Sequence, residues 1–149
     1  MKRIIIAAFL ALISLTVSAT DQVNDKVIIN GEEWEMPLSP LLSLEGDAYD
    51  MFNELLGERT FVSTALYRGY IAYWHIGKRG LYLDKVEVLQ RNGKMKEIEM
   101  PQLKKALKKY RDRGKIRAEW LTAEVTVLMR RGSVQERRLD IRKGRIRNL

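Results

Sequence analysis

His75 is the only histidine in the 149-residue chain, so any mechanism that needs an imidazole base must use it. A serine hydrolase would pair it with an activated serine, but no serine of this chain stands in a Gly-x-Ser-x-Gly pattern. Trp74 precedes His75 in an aromatic segment, where a single imidazole more often packs than reacts. We therefore expect a structural role for His75.

The chain contains no cysteine, which excludes disulfides, a thiolate nucleophile and a cysteine-ligated zinc ion. A single histidine would leave only carboxylates as further zinc ligands, so we expect no metal and no other cofactor. The hydrophobic fraction of 46% is normal for a domain that is held together by burial alone.

Acidic residues offer a second kind of chemistry, because paired carboxylates can hydrolyse glycosidic bonds without a histidine. Asp47, Asp50 and Glu54 lie close together in one predicted helix, and Asp84 and Glu87 lie in one predicted strand. Acidic residues near a helix start also complement the helix dipole. We favour ordinary surface charges, and keep a small carboxylate-dependent hydrolase as the third hypothesis.

The first nineteen residues have the pattern of a cleaved secretory signal. Lys2 and Arg3 precede an apolar stretch over 4–15, and Val17-Ser18-Ala19 supplies the small residues of a cleavage site. The apolar stretch is shorter than the roughly 20 residues that span a bilayer. We expect a signal peptide over 1–19, one domain over 20–149, no transmembrane segment in the mature chain, and a periplasmic or secreted location.

Charge is distributed unevenly along the chain. Residues 21–58 hold ten acidic side chains and one basic side chain, whereas residues 104–149 hold sixteen basic and five acidic side chains. Two faces of one domain could neutralise each other, or a basic surface could stay open for an acidic partner. The cations that we expect to contribute to binding are Arg68, Lys104, Lys105, Lys108, Lys109 and Arg111.

Turn residues and alternation predict an α+β fold, with an antiparallel sheet of about six strands built from hairpins and two short helices packed on it. Asn30-Gly31 predicts a tight hairpin turn, and a turn at 131–133 sets Val125 opposite Leu139. The strand over 67–76 has two apolar faces, which is typical of a strand covered on both sides. Further strands are predicted over 81–89 and 94–99.

Helical spacing predicts the two helices. The first begins at Asp47 and ends at Gly57. The second begins at Pro101, where a missing N–H is no loss, and ends at Gly114. Its apolar stripe is formed by Leu103, Ala106, Leu107 and Tyr110.

The segment Tyr67-Arg68-Gly69-Tyr70-Ile71-Ala72-Tyr73-Trp74-His75-Ile76, followed by Leu81-Tyr82-Leu83, resembles a motif of uncharacterised bacterial proteins. Residues 29–34 are similar to openings of secreted proteins of the Bacteroidetes. The resemblance covers about a third of the mature chain and implies a hairpin and a bacterial origin, but no activity. It singles out Arg68, which we expect to pair with a carboxylate because an unpaired buried charge is costly.

Export, small size and few catalytic groups favour a non-catalytic binding protein, for example an immunity protein or inhibitor of a toxin or hydrolase. The alternative is a binder of anionic envelope polymers, such as lipopolysaccharide, through the basic C-terminal third. Nucleic acid is disfavoured as a partner because export would separate the protein from it. The expected partner is therefore another protein or an anionic polymer.

Overall fold

The computed structural model describes residues 21–57 and 62–149, so the predicted signal peptide lies outside the described residues. These ranges form one curled, mostly antiparallel sheet with two α-helices, which confirms the α+β class. The strands are β1 (Asp25–Ile29), β2 (Glu32–Met36), β3 (Tyr70–Gly77), β4 (Gly80–Leu89), β5 (Met95–Glu97), β6 (Arg111–Asp112), β7 (Lys115–Arg117), β8 (Ala123–Arg131), β9 (Ser133–Arg142) and β10 (Arg145–Ile146). The helices are α1 (Gly46–Leu56) and α2 (Met100–Ala106), with 3-10 turns at Pro40–Ser43 and Lys108–Tyr110.

The prediction of about six strands was too low, because the described residues form ten. Strands of two or three residues, such as β6, β7 and β10, are too short to show alternation in a sequence. The predicted end of the second helix was also wrong. Helix α2 stops at Ala106, and Gly114 lies with Arg113 in the turn between β6 and β7, where both residues have positive φ angles.

Local turn chemistry set the strand registers as predicted. Asn30 and Gly31 both have positive φ angles in the β1–β2 turn. In the β8–β9 hairpin, Val125 lies opposite Leu139. That register keeps both apolar side chains on the buried side of the sheet.

The strand order is β10-β9-β8-β2-β1-β3-β4-β7-β6, with β5 paired to β4. Strand β1 runs parallel to β3, which joins the N-terminal hairpin to the middle of the sheet. The sheet curls until the β9–β10 turn reaches the start of β4, where the Leu81 N–H donates to the Gly144 carbonyl over 2.8 Å.

The helices and the core lie on the inner side of this curl. Trp74 and Tyr70 on β3 are buried with Phe52 of α1 and Leu103 of α2. The outer side of β3 is only partly covered, since His75 is half-buried. The prediction that β3 is covered on both faces was therefore wrong, because the helices pack on one face only. Among the described residues, no helix is long and apolar enough to cross a membrane.

Candidate functional site

Arg68 forms the ion pair that the sequence predicted, within the core. Its Nη2 atom lies 2.7 Å from Asp25 Oδ1, and both side chains are almost completely buried. Asp25 also accepts hydrogen bonds from the Ala72 N–H, the Ser39 hydroxyl and the Trp74 indole at 3.1, 2.8 and 3.3 Å. Burial raises the pKa of the Asp25 carboxyl, while Arg68 and these donors lower it. This geometry holds the strands together and leaves the pair little access to a ligand.

The cations predicted to contribute to binding between residues 104 and 111 do not all lie on α2. Because α2 stops at Ala106, Lys108 and Lys109 lie in the following 3-10 turn, and Arg111 opens β6. Lys104 is half-buried.

The acidic residues of the N-terminal part lie close to these lysines. Lys105 lines a cavity together with Glu54. Lys108 and Lys109 line another cavity together with acidic residues at the start of α1, Glu45 and Asp47. The acidic and basic parts of the chain therefore face each other here.

A basic groove lies elsewhere, where the β3–β4 turn meets β7, β10 and the β9–β10 turn. It consists of three adjoining cavities of about 630, 410 and 270 Å³. The first two share Arg145 and Arg147, and the last two share Gly77, Lys78 and Arg79. The cations that line the groove are Lys78, Arg79, Arg113, Lys115, Arg117, Arg142, Lys143, Arg145 and Arg147.

Only some of these cations are neutralised. Arg117 pairs with Glu119 and Asp112, and Arg79 lies 3.3 Å from Asp112. Arg142 pairs with Asp140. Among the described residues, six lining cations have no carboxylate within 4.0 Å: Lys78, Arg113, Lys115, Lys143, Arg145 and Arg147.

Two glycines bring the basic turns together. The Gly144 N–H donates to the Leu121 carbonyl over 2.9 Å, while the Gly144 carbonyl accepts from Leu81. A Cβ on Gly80 would lie 2.0 Å from the Gly144 oxygen, and a Cβ on Gly144 would lie 2.6 Å from the Ala118 oxygen. The backbones can approach this closely only because neither residue has a side chain.

His75 stands at one end of the groove. Its Nδ1 atom lies 2.7 Å from Asp84 Oδ1, and its ring stacks on Tyr82 with centroids 5.3 Å apart. A β-bulge at this point leaves Asp84 without a residue opposite it on β3, since Tyr73 faces Lys85 and Trp74 faces Leu83.

The two strand carboxylates considered for hydrolysis, Asp84 and Glu87, have other partners. Asp84 pairs with His75, whereas Glu87 accepts hydrogen bonds from the Tyr73 hydroxyl and from Lys85, each over 2.8 Å. Burial raises the pKa of Glu87, but the hydrogen bonds from Lys85 and Tyr73 outweigh burial and lower it below its ordinary value. An ionised Glu87 is poorly suited to be a general acid.

Sequence reasoning did not single out the groove, because its cations come from three separate turns and the strands beside them. The one local signal was glycine beside Lys or Arg, as in Gly77-Lys78-Arg79-Gly80 and Lys143-Gly144-Arg145. Such pairs predict turns and do not by themselves indicate a ligand. Among residues 21–57 and 62–149, no group of three or more His, Asp or Glu side chains is arranged to hold a metal ion.

Comparisons with protein-family models, with curated proteins and with solved structures gave no match for this sequence.

Proposed function

We propose that this protein binds anionic polymers through the basic groove. The observation that carries the proposal is that six cations without carboxylate partners line three adjoining cavities. Unpaired cations held close together repel one another, and a polyanion relieves that repulsion. Binding also releases counterions from the polymer, and this release makes the affinity strongly dependent on salt.

The groove suits a polymer better than a single small anion. Its three cavities adjoin one another, so successive anionic groups of one chain could contact the β6–β7, β3–β4 and β9–β10 turns in succession. If residues 1–19 direct export, as the sequence predicts, the polymer belongs to the cell envelope or its surroundings. The role of an immunity protein or inhibitor stays a prediction of the sequence.

Two triple variants with the same loss of charge test the proposal. One replaces Lys143, Arg145 and Arg147 by Gln in the groove. The other, called the helix variant, replaces Lys105, Lys108 and Lys109 by Gln in α2 and the 3-10 turn that follows it. Heparin binding, measured by titration calorimetry at several salt concentrations, should weaken by about tenfold or more in the groove variant, with a shallower salt dependence. The helix variant should lose much less.

Both variants should melt close to the wild-type temperature, since exposed charges contribute little to stability. Equal losses of affinity in the two variants would show that net charge, and not the groove, determines binding. A larger loss of heparin affinity in the helix variant would mean that the binding site includes Lys105, Lys108 and Lys109 and not the groove. Wild-type protein that does not bind heparin or lipopolysaccharide at low salt would refute the proposed function.

A further inference from the structure

We propose that the groove ends in a subsite for a sugar ring, formed by His75 and Tyr82 and bordered by Asp84, so that its ligand is an acidic polysaccharide. The inference rests on the proposed function, because this ring subsite extends a groove that already attracts polyanions. Its cavity shares Gly77, Lys78 and Arg79 with the neighbouring part of the groove. A ring bound at His75 would therefore lie beside the cations.

The subsite contains a stacked pair of rings that hydrogen bonds hold in place. Tyr82 is buried and its hydroxyl donates to Asp112 over 3.0 Å. The His75 ring lies nearly parallel to the Tyr82 ring, at 17°, and about a quarter of the His75 side chain is exposed. A rigid aromatic surface offers contact area to the C–H face of a sugar ring without a large loss of side-chain entropy.

Asp84 borders the subsite through its hydrogen bond with His75, and it is not among the residues that line the cavity. The β-bulge turns this side chain toward His75, and bulges commonly redirect side chains in this way. Oδ1 takes the His75 hydrogen bond, while Oδ2 has no partner among the described residues. A carboxylate accepts strong hydrogen bonds from hydroxyl groups but repels phosphate. The position of Asp84 next to the His75 ring therefore favours a hydroxylated sugar over a phosphate chain, which has no ring.

Gly77 keeps the approach to the ring open. A Cβ at this position would lie 3.1 Å from the Tyr82 ring and 3.7 Å from His75 Nε2. A larger side chain would therefore occupy the space in which a ligand meets the imidazole edge. Lys78 follows directly and lines the same cavity, within reach of an acidic substituent on that ring.

The test compares two polyanions, heparin and inorganic polyphosphate, on wild-type protein and on Asp84→Ala and His75→Ala. All measurements are made at the same pH and salt concentration. Asp84→Ala should weaken heparin binding about fivefold, although it removes a negative charge beside a basic groove. The same variant should leave polyphosphate binding unchanged or tighter, because only the repulsion is lost.

His75→Ala should weaken heparin binding about fivefold through the lost stacking surface, and it should change polyphosphate binding less than about twofold because a phosphate chain has no ring to stack. Glu136→Ala, an exposed carboxylate on β9 outside the groove, serves as the control and should affect neither ligand by more than about twofold. Melting curves establish that each variant is folded.

A tighter heparin complex in Asp84→Ala would overturn the inference, because the carboxylate would then act only as a repulsive charge. The inference would also be overturned if His75→Ala bound single-stranded DNA more weakly than the wild type but bound heparin equally well. The subsite would then bind a nucleobase and not a sugar. These outcomes differ from a failure of the proposed function, in which wild-type protein binds neither heparin nor polyphosphate.

Discussion

Arg68→Met should destabilise the protein by about 3–5 kcal/mol, because it leaves the Asp25 carboxylate buried without its counter-ion. The guanidinium is buried and donates to the Val23 carbonyl over 3.0 Å as well as to Asp25, so the substitution also removes a link to the N-terminal segment. Urea unfolding followed by circular dichroism at pH 7 measures the change.

The control is Arg130→Met. Arg130 also pairs with a carboxylate, Glu35 at 3.6 Å, but half of its side chain is exposed. Exposed pairs contribute about 0–1 kcal/mol, so this variant should unfold almost like the wild type. A cost below about 1 kcal/mol for Arg68→Met would mean that water or another donor solvates Asp25 in the folded state.

The cost of Arg68→Met should depend on pH in a definite direction. Burial already raises the pKa of Asp25, and Arg68 is the largest influence that lowers it, so the variant raises that pKa further. A carboxyl whose pKa is higher in the folded than in the unfolded state favours folding when it is protonated. That contribution is lost as the pH rises through the folded pKa. The destabilisation should therefore be smallest in acid and largest at neutral pH.

The parts of the fold that depend on residues close together in the sequence could be predicted from it. In the β8–β9 hairpin, alternation from Val125 onward and the glycine turn at Gly132 determine a register that the structure confirms. The same holds for the Asn30-Gly31 turn, because positive φ angles select these residue types. The prediction that the second helix ends at Gly114 was wrong because the local pattern there is ambiguous. The spacing from Leu103 to Tyr110 fits a short α-helix followed by a 3-10 turn equally well.

The candidate site could be predicted only in fragments, since contacts between distant segments create it. A carboxylate partner for Arg68 followed from the cost of a buried charge, but its identity depends on the parallel pairing of β1 with β3. Asp25 lies 43 residues before Arg68, and no local pattern connects them. The groove likewise exists only because the curl of the sheet brings Lys143 and Arg145 beside Lys78.

Gly144→Ala should disrupt both the fold and the groove, with a cost of about 3 kcal/mol or more. Gly144 has φ +73°, which already strains an alanine, and its Cβ would also lie 2.6 Å from the Ala118 oxygen. The clash is with the backbone of Ala118 and Glu119, so it can be relieved only if the β9–β10 turn and this backbone move apart. That movement would break the hydrogen bond from Leu81 and carry Lys143 and Arg145 out of the groove.

Gly132→Ala is the matched control, because Gly132 has nearly the same φ angle, +74°, with no atom within 4 Å of its Cβ position. Gly132→Ala should lose only the part of the stability that comes from backbone conformation, about 1 kcal/mol, and it should keep its heparin affinity. Thermal melts and heparin titrations on the two variants separate backbone strain from close packing. Equal stability losses would show that Gly144 is needed for its φ angle alone. A large loss of heparin affinity in Gly144→Ala, measured below its melting temperature, would link the packing of this turn directly to the proposed function, because the substitution removes no charge.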